Sequence, residues 1–74
     1  MELTGKNVLV VGLARSGMAA IKVLHRLGAV ITLSESKKKE DIKELPELEK
    51  LGVTVVDQSM QVFEGHYELV VKNP

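Results

Sequence analysis

Val8-Leu9-Val10-Val11-Gly12-Leu13-Ala14-Arg15-Ser16-Gly17 decides how the rest of the chain is read. Four consecutive apolar residues predict a short strand buried on both faces. Gly12 ends it, and a segment with helical periodicity opens from Gly17. A strand, tight turn and helix in this order present backbone N–H groups and the positive end of a helix dipole to an anion. The candidate phosphate donors are the N–H groups of Leu13, Ala14, Arg15, Ser16 and Gly17, and Ser16 adds a hydroxyl. The glycine spacing is G-x-A-x-x-G. Ala14 stands where the dinucleotide fingerprint has the glycine that lets a pyrophosphate approach the backbone. The turn therefore speaks more for a generic diphosphate than for NAD. The competing reading is structural: any tight turn from strand to helix favours glycine, and Gly12 and Gly17 then serve packing alone.

Outward from this turn, residues 15–27 predict a helix. Gly17, Ala20, Ile21, Leu24 and Leu27 fall on one face, with Arg15, Lys22 and Arg26 opposite. Gly28 suits the left-handed capping position. Residues 30–34 predict a second strand, and strand, helix and strand within about 30 residues make a parallel, right-handed βαβ unit. A polar loop follows, with a weak turn over about 40–44. A helix is then expected from Pro46, because proline suits a first helical turn and not a helix middle, and it should end at Gly52. Residues 53–56 and 68–72 predict strands three and four, joined by a connector with a short helical turn around 60–63. The sum is an α/β, Rossmann-like open parallel sheet of four strands in the order 3-2-1-4 with flanking helices. In such a sheet a ligand sits outside the carboxyl ends of the strands. That edge collects residues 12–16, 34–37 and 72–74.

Glu35 follows Gly17 by 18 residues, at the end of strand two. A dinucleotide site places an acid there to accept hydrogen bonds from a ribose diol. Ser36 and Lys37 adjoin it and are candidates to face the base of such a ligand, whereas Lys37-Lys38-Lys39 beside Glu40-Asp41 also reads as a solvated helix start. His25 and His66 are isolated and read as surface residues. No metal-ligand spacing, nucleophile–base pair or G-x-x-x-x-G-K-[ST] loop is present in the sequence. The 74 residues fit one small domain. Ten basic and ten acidic residues balance, and one Phe and one Tyr give no basic–aromatic patch, which argues against nucleic acid. Without cysteine, neither a disulfide nor a thiolate metal site can form. No apolar run is long enough to span a bilayer as a helix, no signal-peptide pattern precedes the first strand, and a cytoplasmic setting is the expectation.

Three groups of residues then bear on family: Gly5-Lys6-Asn7 through Gly17, Ser34-Glu35-Ser36, and Val70-Val71-Lys72-Asn73-Pro74. Together they resemble the start of the Mur ligase family of bacterial cell-wall enzymes, at its D-glutamate-adding branch. The resemblance implies a Rossmann-like first domain that binds no dinucleotide and holds the UDP end of UDP-N-acetylmuramoyl-L-alanine. It implies that residues 12–17, Arg15 and Ser16 above all, meet the diphosphate. It implies that Glu35, Ser36 and Lys37 meet the uracil side and that Asn73 lies near the phosphates. It further implies that the 74 residues open a longer multidomain protein. ATP, magnesium and D-glutamate would be bound by other domains, and this segment would carry no catalytic residue and no cofactor. The family commonly has glycine at the position of Ala14, Leu-Thr-like residues at Arg15-Ser16 and aspartate at Glu35. Serine for threonine keeps the hydroxyl, and Arg15 adds a guanidinium. Three other readings stand beside this one: an NAD(P)- or FAD-binding oxidoreductase domain, favoured by Glu35 and opposed by Ala14; a non-catalytic nucleotide-sensing domain; and a folded segment that binds nothing.

Overall fold

The computed structural model of the protein describes residues 2–13, 17–36, 38–57 and 66–72. Its elements run β1 (Asn7–Val11), α1 (Gly17–Arg26), β2 (Val30–Glu35), a 3₁₀ turn (Lys39–Asp41), α2 (Leu45–Lys50), β3 (Thr54–Asp57) and β4 (Leu69–Lys72). The strands form one parallel sheet in the order β3-β2-β1-β4, as the alternation of strand and helix predicts. The helical turn expected around 60–63 lies outside the described residues.

The register shows where the core sits. Side chains paired across a parallel ladder share a face, and Val8 pairs with Ile31, Val10 with Leu33, and Leu33 with Val55. All five are buried, and they cluster with Ile21 and Leu24 of α1, Ile42, and Leu48 of α2. Both helices therefore cover the same face of the sheet. That follows when two successive crossovers advance in the same direction and both are right-handed. Leu9 and Val11 point to the opposite face and are buried too, so β1 is enclosed on both sides. Fully burying a side chain of this size stabilises by roughly 1.5–3 kcal/mol, and four consecutive residues of β1, Val8 to Val11, are buried. A Lys22–Glu47 ion pair of 3.2 Å joins α1 to α2, with both side chains half exposed. Solvent leaves such a pair about 0–1 kcal/mol, so packing of Ile21, Leu24 and Leu48 holds the helices.

Both helices stop by one device. After α1, the Gly28 N–H donates to the His25 carbonyl and the Ala29 N–H to that of Leu24. After α2, the Gly52 N–H donates to the Glu49 carbonyl and the Val53 N–H to that of Leu48. Gly28 and Gly52 have φ of 84° and 75°. These are Schellman closures, in which a left-handed glycine lets the chain fold back and satisfy the last carbonyls. They also explain where prediction and structure differ. The Val53 N–H is bonded to the helix, so β3 starts at Thr54 and runs to Asp57 instead of spanning 53–56. β2 extends one residue further than expected, because Glu35 pairs with Asp57. Helix α2 begins at Leu45, one residue before Pro46, so that proline lies in the first turn. The weak turn expected over 40–44 is a 3₁₀ turn at Lys39–Asp41, earlier in the chain. Glu68 sits just before β4; its N–H donates to the Asn7 carbonyl and its carboxylate accepts from the Asn7 N–H at 2.6 Å.

Two stability outcomes follow. A Cβ at Gly28 would stand 2.8 Å from Thr4 Oγ1 and 3.0 Å from Thr4 Cα, whereas one at Gly52 would meet nothing within 4 Å. Alanine at either site carries the left-handed penalty of about 1–3 kcal/mol. Urea unfolding should show Gly28→Ala losing more than Gly52→Ala, because only the former also displaces the lead-in segment. Ser34 is fully buried and its Oγ has no hydrogen-bond partner among the described residues. Removing an unpaired buried hydroxyl relieves a desolvation cost of roughly 1–3 kcal/mol, so Ser34→Ala should unfold at equal or higher urea concentration.

Candidate functional site

The carboxyl ends of β1 and β2 meet the chain reversal that follows β1. The Gly12 N–H donates to the Ser34 carbonyl at 2.8 Å, which carries the β1–β2 ladder one residue beyond the strand. Gly12 then takes a φ of 87°, and a Cβ there would meet nothing within 4 Å. The glycine is thus required by backbone conformation and not by crowding. Gly17 is buried as the first residue of α1, in keeping with close packing of helix on strand. No acid occupies the first turn of α1, and His25 and Arg26 stand in its last turn. That charge arrangement leaves the dipole's positive end unopposed within the helix and stabilises the negative end.

Glu35 is the last residue of β2 and is half-buried. Its Oε2 accepts from the Leu13 N–H at 2.9 Å. Its Oε1 accepts from the Ser36 N–H at 2.8 Å and from Ser36 Oγ at 3.2 Å. Hydrogen bonds to a carboxylate are stronger than those between neutral groups, so Glu35 ties the strand-two edge to the glycine turn. Leu13 was expected to offer its N–H to a phosphate; here that N–H is donated to Glu35. Ser36 is exposed beside it. Ala14, Arg15, Ser16, Lys37 and Asn73, the remaining expected contacts, lie outside the described residues.

An open cleft of about 440 Å³ lies at this edge, lined by Gly12, Leu13, Glu35 and residues 41–44. The stretch Asp41-Ile42-Lys43-Glu44 forms a wall that the sequence reading did not include. Ile42 is buried in the core and anchors the stretch. Its recurrence with Leu45, Leu48 and Leu51 marks it as apolar in the sequence, yet nothing there shows that its neighbours face β1. β4 reaches the same edge, with Lys72 opposite Val11 in register. Strand order reverses between β1 and β4, where open α/β sheets hold their ligands. Among the described residues, no group of three or more His, Cys, Asp or Glu could hold a metal ion. Among the same residues, no helix is long and apolar enough to cross a membrane.

No protein-family model matches the chain. Individual proteins do. The UDP-N-acetylmuramoylalanine–D-glutamate ligase of Geobacillus sp. (strain WCH70) is 46% identical over 71 residues, or 93% of this chain. The enzymes of the same name from Lacticaseibacillus casei and Enterococcus faecalis are each 41% identical, over 99% and 93% of the chain. Over this stretch the chain is similar in sequence to D-glutamate ligases. It spans 16% of the length of each of these three. In structure it is similar to the L-tryptophan dehydrogenase of Nostoc punctiforme, with a TM-score of 0.78 over 96% of this chain and 20% of that one. Sequence identity there is 22%, so this likeness speaks for the Rossmann-like fold alone.

The Glu35–Leu13 bond has a direct readout. In Glu35→Ala the Leu13 amide should lose its protection and exchange with solvent roughly tenfold faster or more, while amides of Val8 to Val10 keep theirs. Hydrogen exchange followed by NMR measures both.

Proposed function

We propose that this segment is a Rossmann-like domain that anchors the UDP moiety of UDP-N-acetylmuramoyl-L-alanine within a longer, ATP-dependent D-glutamate ligase. The observation that carries this reading is the 39–46% identity, over nearly the whole chain, to ligases named for that substrate. The geometry is compatible with it. A glycine turn opens into a helix N-terminus, and a cleft edged by the Glu35 carboxylate adjoins it. The turn suits a diphosphate, and the carboxylate suits the ring N–H or ribose hydroxyls of a nucleoside. In this reading Gly12, Leu13, Ala14, Arg15, Ser16, Gly17 and Asn73 border the diphosphate, and Glu35, Ser36 and Lys37 border the uridine. The whole protein would join D-glutamate to the alanyl carboxylate for peptidoglycan synthesis, in the cytoplasm. ATP and magnesium would be held by its other parts. The described residues supply no metal cluster, and no step of that chemistry is assigned to them.

UDP titrated into the ¹⁵N-labelled chain should shift the amides of Leu13, Gly17, Glu35 and Ser36. NADH should shift them less, because the Ala14 methyl narrows the approach that a dinucleotide pyrophosphate needs. A larger response to NADH than to UDP would reverse the reading.

A further inference from the structure

We infer that Glu35 is a positioning residue for the diphosphate end of the ligand, acting through the Leu13 N–H, in addition to lining the nucleoside cleft. The inference rests on the UDP reading above and assigns the division of labour within that site. One carboxylate joins two loops that are far apart in sequence. Oε1 is held by the backbone N–H and hydroxyl of Ser36 at 2.8 and 3.2 Å, which fixes the carboxylate at the end of β2. Oε2 then holds the Leu13 N–H at 2.9 Å. The turn it holds leaves the sheet through Gly12, at a left-handed φ and with open space where a side chain would be. A glycine so placed has wide backbone freedom, and its path is set by hydrogen bonds: the Gly12 N–H on the Ser34 carbonyl and, one residue on, the Leu13 N–H on Glu35.

Charge sharpens the assignment. Among the described residues the cleft is lined by Glu35, Asp41 and Glu44 and by Lys43. A phosphate beside the Glu35 carboxylate would meet like charge, whereas an uncharged, donor-bearing nucleoside would meet an acceptor. With the Leu13 N–H engaged by Glu35, the anion is left to the start of α1 at Gly17. Glu35 thus orients a two-ended ligand, nucleoside toward the cleft and diphosphate toward the helix. Two accounts of Glu35 then predict opposite things. If it were only a nearby negative charge, removing it would strengthen the hold on a diphosphate. If it positions the turn, removing it weakens that hold.

The test compares uridine with UDP on the parent chain, Glu35→Ala and Glu35→Gln, by NMR titration. The ratio of UDP to uridine affinity isolates what the diphosphate contributes. Partial loss of the fold would lower both affinities together and leave the ratio unmoved. Glu35→Ala should lower the ratio roughly tenfold, the value of one charge-assisted hydrogen bond. Glu35→Gln keeps a carbonyl acceptor for Leu13 and should hold the ratio within about threefold. A ratio that is unchanged or raised in Glu35→Ala overturns the inference, as does a tenfold fall in both variants. Failure of the parent chain to respond to UDP overturns the ligand reading itself, so the two failures are distinct.

Discussion

β1 is hydrogen-bonded along both edges and buried on both faces, and the position of every other element follows from this. Its five residues pair with β2 on one side, and four of them pair with β4 on the other. A strand so enclosed has no solvated face on which polar residues could alternate, which is why Val8-Leu9-Val10-Val11 is an unbroken apolar run. The edge strands show the contrast. Val70 of β4 is half exposed, although it pairs with the fully buried Leu9. The same enclosure makes the carboxyl end of β1 a fixed point, and the glycine turn starts there.

The connections are built to return the chain to that sheet quickly. Two Schellman glycines convert the end of each helix into the approach to the next strand while giving partners to the carbonyls of Leu24, His25, Leu48 and Glu49. At Gly28 the device is tied further. The Leu3 N–H donates to the Leu27 carbonyl and the Gly5 N–H to the Gly28 carbonyl, so the lead-in segment rests against the helix end. Crossovers this short leave the loops at the carboxyl edge to differ from one another, and the cleft forms there.

Glu35 links the fold to the candidate site. A strand-end acid in a Rossmann-like sheet reads, from position alone, as a group reserved for a ligand. In this structure it also completes the protein's own backbone hydrogen bonding, at Leu13 and at Ser36. Glu35 thereby couples two loops remote in sequence, and the spacing of motifs cannot display such coupling.

Much of the fold was legible in the residues. The apolar run at Val8–Val11, the helical period through Gly17, Ile21 and Leu24, and the glycines at 28 and 52 are local signals. Each is set by what a single segment can do in water, so each survives without knowledge of its neighbours. The strand order followed from the handedness of short crossovers, which is equally local in origin. Register was not legible. The pairing of Val11 with Ser34, and so the approach of Glu35 to Leu13, depends on how α1 packs against the sheet. The cleft wall at Asp41–Glu44 is of the same kind, because Ile42 reaches the core only once β1, β2 and the helices have formed it. The sequence by itself determined which segments become strand, turn and helix, since hydrophobic period and glycine conformation act over a few residues. Tertiary structure alone decided which carboxylate meets which N–H, since that distance is fixed by the packing of segments remote in the chain.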